Sequence, residues 1–532
     1  MARTATVLSA ACAALTLCAC ASSSSSPPSI GHKSPPLLKD GTFVVSAGQF
    51  HSFNPYSDFN AAFYAPLEYD SMVNVDPAGK LVSGIARSWT DSATNATFTL
   101  NKTVTCSDGH RLTASDVANS LNAAKDPKNN FGPPQQILPT VPYTVTGDDS
   151  TGVVTVAMKQ PFSFITRSIG ILPIVCPKGL SNFKSLDKST DGTGPYTLTK
   201  WASDGPYLLT RRAHYTWGPG GATTAQPGMP ATIKLEDIGG TQSGANLLLT
   251  GSVNDANVDG PDIKRLQRAG LFQVNVSTVL GLTAFNQRPG RLLDDPMIRR
   301  ALVQAINRTQ TAKVAVGGGS FTLAGDIKAQ GTACYANIAG STLPPFNPAA
   351  AKQELSQDGW LPGPGGIRQK NGKPLNLVAI TEPDQAATLP AISEFMAQQW
   401  KAVGINVKVQ QVTGNALVAD LYQTGNWDIL VNATPNEPLP SQLIPFQSGP
   451  LPPKGVNFAN IHNQAYENLT KQALRVAGDA SCPLWQQATG ALFKNADALV
   501  IANGGTPFFG YKSSFHLGNN FNLLPTTIRM FK

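Results

Sequence analysis

Residues 375–431 place the tightest constraint on how this chain folds. The stretch 375–380 (LNLVAI) reads as a strand. From 387 to 403 the apolar residues Leu389, Ile392, Phe395, Met396 and Trp400 form a helical stripe that stops at Gly404. Residues 405–412 (INVKVQQV) alternate as a strand, 416–422 suit a short helix, and 427–431 (WDILV) suit a buried strand. Strand–helix–strand–helix–strand is the signature of a βαβαβ unit on a parallel sheet. Ligands of such open sheets bind beyond the carboxyl ends of the strands. The loop 432–438 (NATPNEP) is therefore a candidate site.

The front half differs. Residues 96–105 (ATFTLNKTVT) alternate like an antiparallel strand, 107–110 make a turn, and Thr113 or Ser115 caps a helix with Asp116 near its positive end. Residues 218–228 and 361–366, rich in Gly and Pro, read as exposed turns. A length of 532 residues suggests two to four domains or one large lobed unit. With 41% hydrophobic and 14% charged residues, the chain is neither disordered nor a coiled coil. A mean hydropathy of −0.10 excludes a multi-span membrane protein. The formal charge of +8 is spread without a basic run of five, which is poor support for nucleic-acid binding.

Residues 1–19 have the proportions of a secretory signal: Arg3, then an apolar stretch too short for a bilayer span. Leu17-Cys18-Ala19-Cys20 resembles a bacterial lipobox, which implies a lipidated (diacylglyceryl, palmitate-type) Cys20 and a flexible tether over 20–38. A plain signal cut nearby is the alternative. Four cysteines then remain in the exported part: Cys106, Cys176, Cys334 and Cys482. They allow three pairings, of which Cys106–Cys176 with Cys334–Cys482 is the expectation; buried free thiols are the alternative.

Several segments match one family in order. Residues 76–89 read D-x-x-G-K-L-x-x-x-I-A-x-S-W, and 108–117 read D-G-x-x-L-T-A-x-D-V. GTGPY stands at 192–196 and LLTGSVNDANV at 248–258. Ala284-Phe285-Asn286 precedes DPMIRRALVQAINR at 295–308, and 347–360 and 402–407 complete the set. Together these resemble the family 5 extracellular solute-binding proteins of ABC importers, the peptide/nickel type. The resemblance implies an α/β, two-lobed periplasmic-binding-protein fold (type II, cluster C-like) with an extra subdomain in the first lobe. Lobe 1 is expected over 39–66, 189–282 and 505–532, the extra subdomain over 67–188, and lobe 2 over 283–504. It further implies capture of di- or oligopeptides between lobes that close by hinge motion. The captured solute passes to a permease; with no GxxxxGK[ST] here, ATP hydrolysis belongs to another subunit. The expected protein is a monomer held on the extracytoplasmic (periplasmic) face of the cell membrane, with no enzymatic activity, cofactor, metal or nucleic-acid partner.

Peptide-binding members carry an Asp in a W-x-x-D-Y stretch after the last βαβ strand, where it pairs with the ligand's amino group. Residues 428–438 (DILVNATPNEP) lack it. Glu437 is the substitute anion, with Asn432, Ala433, Thr434 and Asn436 as polar or backbone partners; a turn-capping Glu437 is the alternative. The facing wall is expected from the loop after 42–46, with Gln49, Phe50, His51, Phe53 and Asn54. Asn286 and Arg288 are placed at the hinge, Arg288 as a partner for a ligand carboxylate. The altered loop keeps open a receptor for haem, a metal chelate or a glycan. A secreted hydrolase is disfavoured, because neither GxSxG nor HExxH occurs.

Overall fold

A computed structural model describes residues 35–47, 52–57, 59–126, 128–129, 137–139, 141–203, 205–238, 241–317, 321–383, 385–433, 439–518 and 521–532. The fold is that of the compact unit Leu37–Lys532. The leader, Cys20 and most of the tether lie outside the described residues. Among the described residues, no helix is long and apolar enough to cross a membrane.

A 12-stranded mixed sheet runs through the molecule. Its main path is Asn406–Gln411, Asn376–Thr381, Ile429–Ala433, Phe272–Phe285, Ala502–Gly510, Asp255–Asn257, Thr42–Ala47, Thr232–Asp237, Tyr207–Arg211 and Tyr196–Lys200. The βαβαβ unit forms as its pattern predicts. Asn376–Thr381 pairs in parallel with Asn406–Gln411 on one side and with Ile429–Ala433 on the other. The helix Leu389–Ala402 buries Leu389, Ile392, Met396 and Trp400, and the Trp400 indole N–H donates to the Leu302 carbonyl at 3.0 Å.

Of the boundaries that differ from the sequence pattern, two have a local cause. The last strand begins at Ile429 rather than Trp427, because Gly425 adopts φ +66° and the Trp427 N–H turns back to the Gly425 carbonyl at 2.9 Å. The strand expected over 96–105 is Asn95–Leu100. Asn101 ends it by accepting the Thr103 N–H on its side chain at 3.1 Å, a local bond that competes with the ladder.

A separate four-stranded antiparallel sheet, Ala86–Asp91, Asn95–Leu100, Val153–Met158 and Tyr143–Asp148, carries the helix Ala114–Lys125. That helix starts with a reciprocal cap: Thr113 Oγ1 accepts the Asp116 N–H, and Asp116 accepts the Thr113 N–H. The buried apolar residues fall into distinct cores. Phe43, Val45, Tyr196, Leu209, Ile233 and Phe515 share one. The small sheet packs over Phe98, Val117, Leu121, Val154 and Val156. The βαβαβ unit packs over Leu377, Met396, Trp400, Ile429 and Val431.

The disulfides are Cys106–Cys176 and Cys334–Cys482, the expected pairing. Cys106–Cys176 closes a separation of 70 residues. Replacing both cysteines by Ser releases that loop in the unfolded chain, and is expected to lower stability by about 2–5 kcal/mol. Thermal melts of variant and parent under oxidising conditions measure the loss.

Candidate functional site

The strands Phe272–Phe285 and Ala502–Gly510 lie antiparallel over nine residue pairs, from Phe272↔Gly510 to Leu280↔Ala502. At one end Phe272, Val274, Val276 and Phe508 join the Phe43 core. At the other, Leu280 and Ala502 join the core of the βαβαβ unit. The chain thus crosses between these two cores twice, side by side. Between the cores, Ser277 and Thr278 face Gly505 and Gly504. A Gly-Gly pair inside a strand pattern was the available sequence signal for this crossing, and it stands between Asn503 and Thr506.

The ladder fixes where the site opens. Thr42–Ala47 runs parallel to Phe272–Phe285, that is, out of lobe 1. Ile429–Ala433 runs antiparallel to the same strand, out of lobe 2. The carboxyl ends of the two strands therefore point toward each other. Val45 pairs with Asp255, Asp255 with Gly510 and Gly510 with Phe272, so two residues on, Ala47 stands level with Val274. Ala433 stands level with Leu280. The stretch from Val274 to Leu280 offsets the opposed ends by about 20 Å along the strand direction, at 3.4 Å per strand residue, and the sheet order sets them four strand positions apart sideways. Residues 48–51 and 434–438 follow those two ends in the sequence.

Of the expected site residues, Gln49, Phe50, His51, Thr434, Asn436 and Glu437 lie outside the described residues. Asn432 and Ala433 form the end of their strand, opposite Leu282 and Leu280. Phe53 is buried against the Tyr207 ring, edge to face with centroids 5.2 Å apart. Asn54 is buried and accepts the Tyr56 N–H at 3.1 Å. Asn286 and Arg288 follow Phe285, which pairs with Ile429 at the far end of that strand from Ala433. The Asn286 amide is fully buried and donates to the Trp427 and Gly425 carbonyls at 2.8 and 3.3 Å. Arg288 donates to the Leu421 carbonyl at 3.3 Å. Burial and the neighbouring Arg291 charge both push its guanidinium below the ordinary value. The structure thus groups Asn432 and Ala433 with the crossing, and sets Asn286 and Arg288 a strand's length away.

Asn503 was not singled out by sequence. It lies on the crossing strand and its amide donates to Thr322 Oγ1 at 3.2 Å and to the Tyr335 hydroxyl at 3.0 Å, while its buried Oδ1 has no partner among the described residues. An Asn next to two glycines carries no pattern that separates it from a turn residue.

On the lobe 1 side, the buried Asp255 accepts the Ser46 N–H at 3.0 Å, one residue before the strand end. Burial, opposed by that N–H, pushes its carboxyl up to about 7. Among the described residues, no group of three or more His, Cys, Asp or Glu is placed to hold a metal ion. A groove of about 960 Å³ lies on the helices Gln464–Ala473 and Cys482–Lys494, lined by residues such as Asn337, His462, Gln486 and Lys494, and includes none of the expected site residues.

The family model described as bacterial extracellular solute-binding proteins, family 5 (middle), matches residues 80–448. Protein XP55 of Streptomyces lividans is 28% identical over 64% of this chain, and the match covers 62% of that protein, less than two thirds of its length. The glutathione-binding protein GsiB of Escherichia coli K12 is 25% identical over 81% of this chain and 83% of its own. The solved structure of NikA from Brucella suis, in complex with Fe(III)-EDTA, is 18% identical and superposes with a TM-score of 0.74, covering 93% of this chain and all of that one. These likenesses assign the fold as two-lobed, type II periplasmic binding, as the sequence motifs implied.

The Asp255 carboxyl supplies a pH test. Its folded value lies above the unfolded one, so its contribution is complete below about pH 4 and is lost as pH rises through about 7. Asp255→Asn keeps an acceptor for the Ser46 N–H and removes the titration. The fall in Tm between pH 5 and pH 8 is expected to be smaller in the variant than in the parent, read by differential scanning fluorimetry.

Proposed function

We infer that this chain, which belongs to the family 5 bacterial extracellular solute-binding proteins, binds peptides in the gap between its two opposed strand ends. As a solute-binding protein of an ABC importer it hands a captured molecule to membrane partners. The observation that supports the peptide reading is the pair of oppositely directed strand ends, offset by about 20 Å along the crossing strand at 3.4 Å per residue and by four strand positions across the sheet. An extended peptide laid across such a gap meets main-chain donors and acceptors from both lobes, as an added strand does. Buried main-chain groups of a ligand require such partners. Glutathione, for which the relative GsiB is named, is itself a small peptide.

In this reading the loops 48–51 and 432–437 supply the walls. Gln49, Phe50 and His51 come from lobe 1, and Asn432, Ala433, Thr434, Asn436 and Glu437 from lobe 2, with Glu437 holding the amino group. A buried ammonium without an anion costs several kcal/mol. Asn286 and Arg288 shape the far end of the lobe 2 strand, and the buried Phe53 and Asn54 anchor the chain just after residues 48–51. Gly504 and Gly505 give the crossing its freedom to bend. Lobe 1 comprises 39–66, 189–282 and 505–532, with its subdomain at 67–188, and lobe 2 comprises 283–504. The chain works as a monomer without catalysing a reaction, anchored through Cys20 on the outer face of the cell membrane.

A second reading rests on a specific departure: residues 428–438 lack the W-x-x-D-Y stretch of peptide-binding members. A non-peptide solute, such as a metal chelate of the kind present in the NikA structure, then fills the gap.

Native mass spectrometry of the purified protein separates the two. A peptide passenger is expected; a haem, chelate or glycan passenger replaces the first reading with the second. Glu437→Gln is expected to weaken an amine-bearing peptide passenger at least about tenfold, equivalent to about 1.4 kcal/mol, in calorimetric titration. Unchanged affinity returns Glu437 to capping its turn. Cys20→Ala is expected to move the protein from the membrane to the soluble fraction.

A further inference from the structure

Away from the crossing strands, a second set of contacts joins the small-sheet subdomain to lobe 2. Arg167 donates from Nε and Nη2 to the two oxygens of Asp479, both at 3.2 Å. The Gly478 N–H donates to the Ser163 carbonyl at 2.6 Å, and Ser163 Oγ donates to the Ala473 carbonyl at 2.7 Å. The Phe164 ring lies 6.0 Å from the Trp485 ring. Ala473 and Trp485 are buried together with the subdomain residues Phe164 and Ile165.

We propose that residues 163–167 and 473–485 form a reversible latch, which closes when the cleft closes and parts when it opens. The inference rests on the clamshell reading of the site. Each half of the contact is supported on its own side. Arg167 also donates to the Gly79 carbonyl at 3.1 Å, a partner within the subdomain, so its guanidinium is aimed before the lobes meet. The Trp485 indole N–H donates to Ser481 Oγ at 3.1 Å, a partner within lobe 2. Cys334–Cys482 braces the lobe 2 half, and Cys106–Cys176 braces the segment that follows the subdomain half.

The ion pair is asymmetric. The Arg167 side chain is 9% exposed, whereas that of Asp479 is 68% exposed. Asp479 stands in water whether the latch is shut or open, so parting costs no burial of an unpaired carboxylate. A pair with one partner in solvent is weak and screened by salt. The Ser163, Gly478 and Ala473 main-chain groups exchange protein partners for water on opening. The polar groups of the contact can therefore separate without being stranded, and the cost of parting falls on the apolar burial of Phe164, Ile165, Ala473 and Trp485.

The test is hydrogen–deuterium exchange on the detergent-solubilised full-length protein, with Asp479→Asn as the variant, since that solvent-exposed side chain is replaced by one of equal size. The segments 163–168 and 473–481 are expected to exchange together, and faster than the helix Leu389–Ala402. Asp479→Asn is expected to speed both segments three- to tenfold, and 1 M NaCl to do the same in the parent but not in the variant. Exchange of both segments no faster than Leu389–Ala402, a response in one segment alone, or an equal salt effect in the variant overturns the latch. Loss of the solute-binding reading has a separate signature, the lack of any passenger in native mass spectrometry, and that measurement does not depend on the state of the latch.

Discussion

The hydrogen-bonded ladder between Phe272–Phe285 and Ala502–Gly510 governs the rest of the molecule. Two chain crossings placed side by side pair each other's main-chain groups, so the segment between the lobes leaves few donors or acceptors to strand. The same ladder continues into both lobes and sets the register of each. Through it the lobe 1 strand Thr42–Ala47 and the lobe 2 strand Ile429–Ala433 acquire opposite directions, and their carboxyl ends face one another. The gap is a consequence of strand direction. Gly504 and Gly505 sit where the Leu280 and Asn275 side chains come close, at 2.6 and 3.1 Å from where a Cβ would stand, while Val279 and Leu280 on one side and Val276 on the other are packed in apolar cores.

Much of this architecture was legible in the sequence, because periodicity reports local environment. The stripe at Leu389, Ile392, Met396 and Trp400 marks the buried face of its helix, and the runs around it mark parallel strands. Thr113 and Asp116 announce a helix start through spacing alone. The pairing of the four cysteines also came out as expected. Boundaries failed where a side chain or a glycine redirected the backbone: Asn101 ended one strand early, and Gly425 delayed another.

The site was less legible, for a different reason. Asn286 and Asn432 bracket one strand pairing and look equally close to the cleft in a linear reading. Only strand direction reveals that Asn286 stands at the opposite end, with its amide committed to the Trp427 and Gly425 carbonyls. Asn503 and the Arg167–Asp479 pair depend on residues more than 150 positions apart coming together, and no local pattern encodes that. Cys334–Cys482 ends inside one of the segments that meet at the subdomain contact, and Cys106–Cys176 lies just after the other.

The central claim is that the two lobes move about the paired strands and trap a solute between them. Small-angle X-ray scattering tests this most directly. The protein is first stripped of its passenger and then titrated with that same passenger. A radius of gyration that falls on binding is what hinged closure predicts; a radius that stays constant while binding saturates contradicts it.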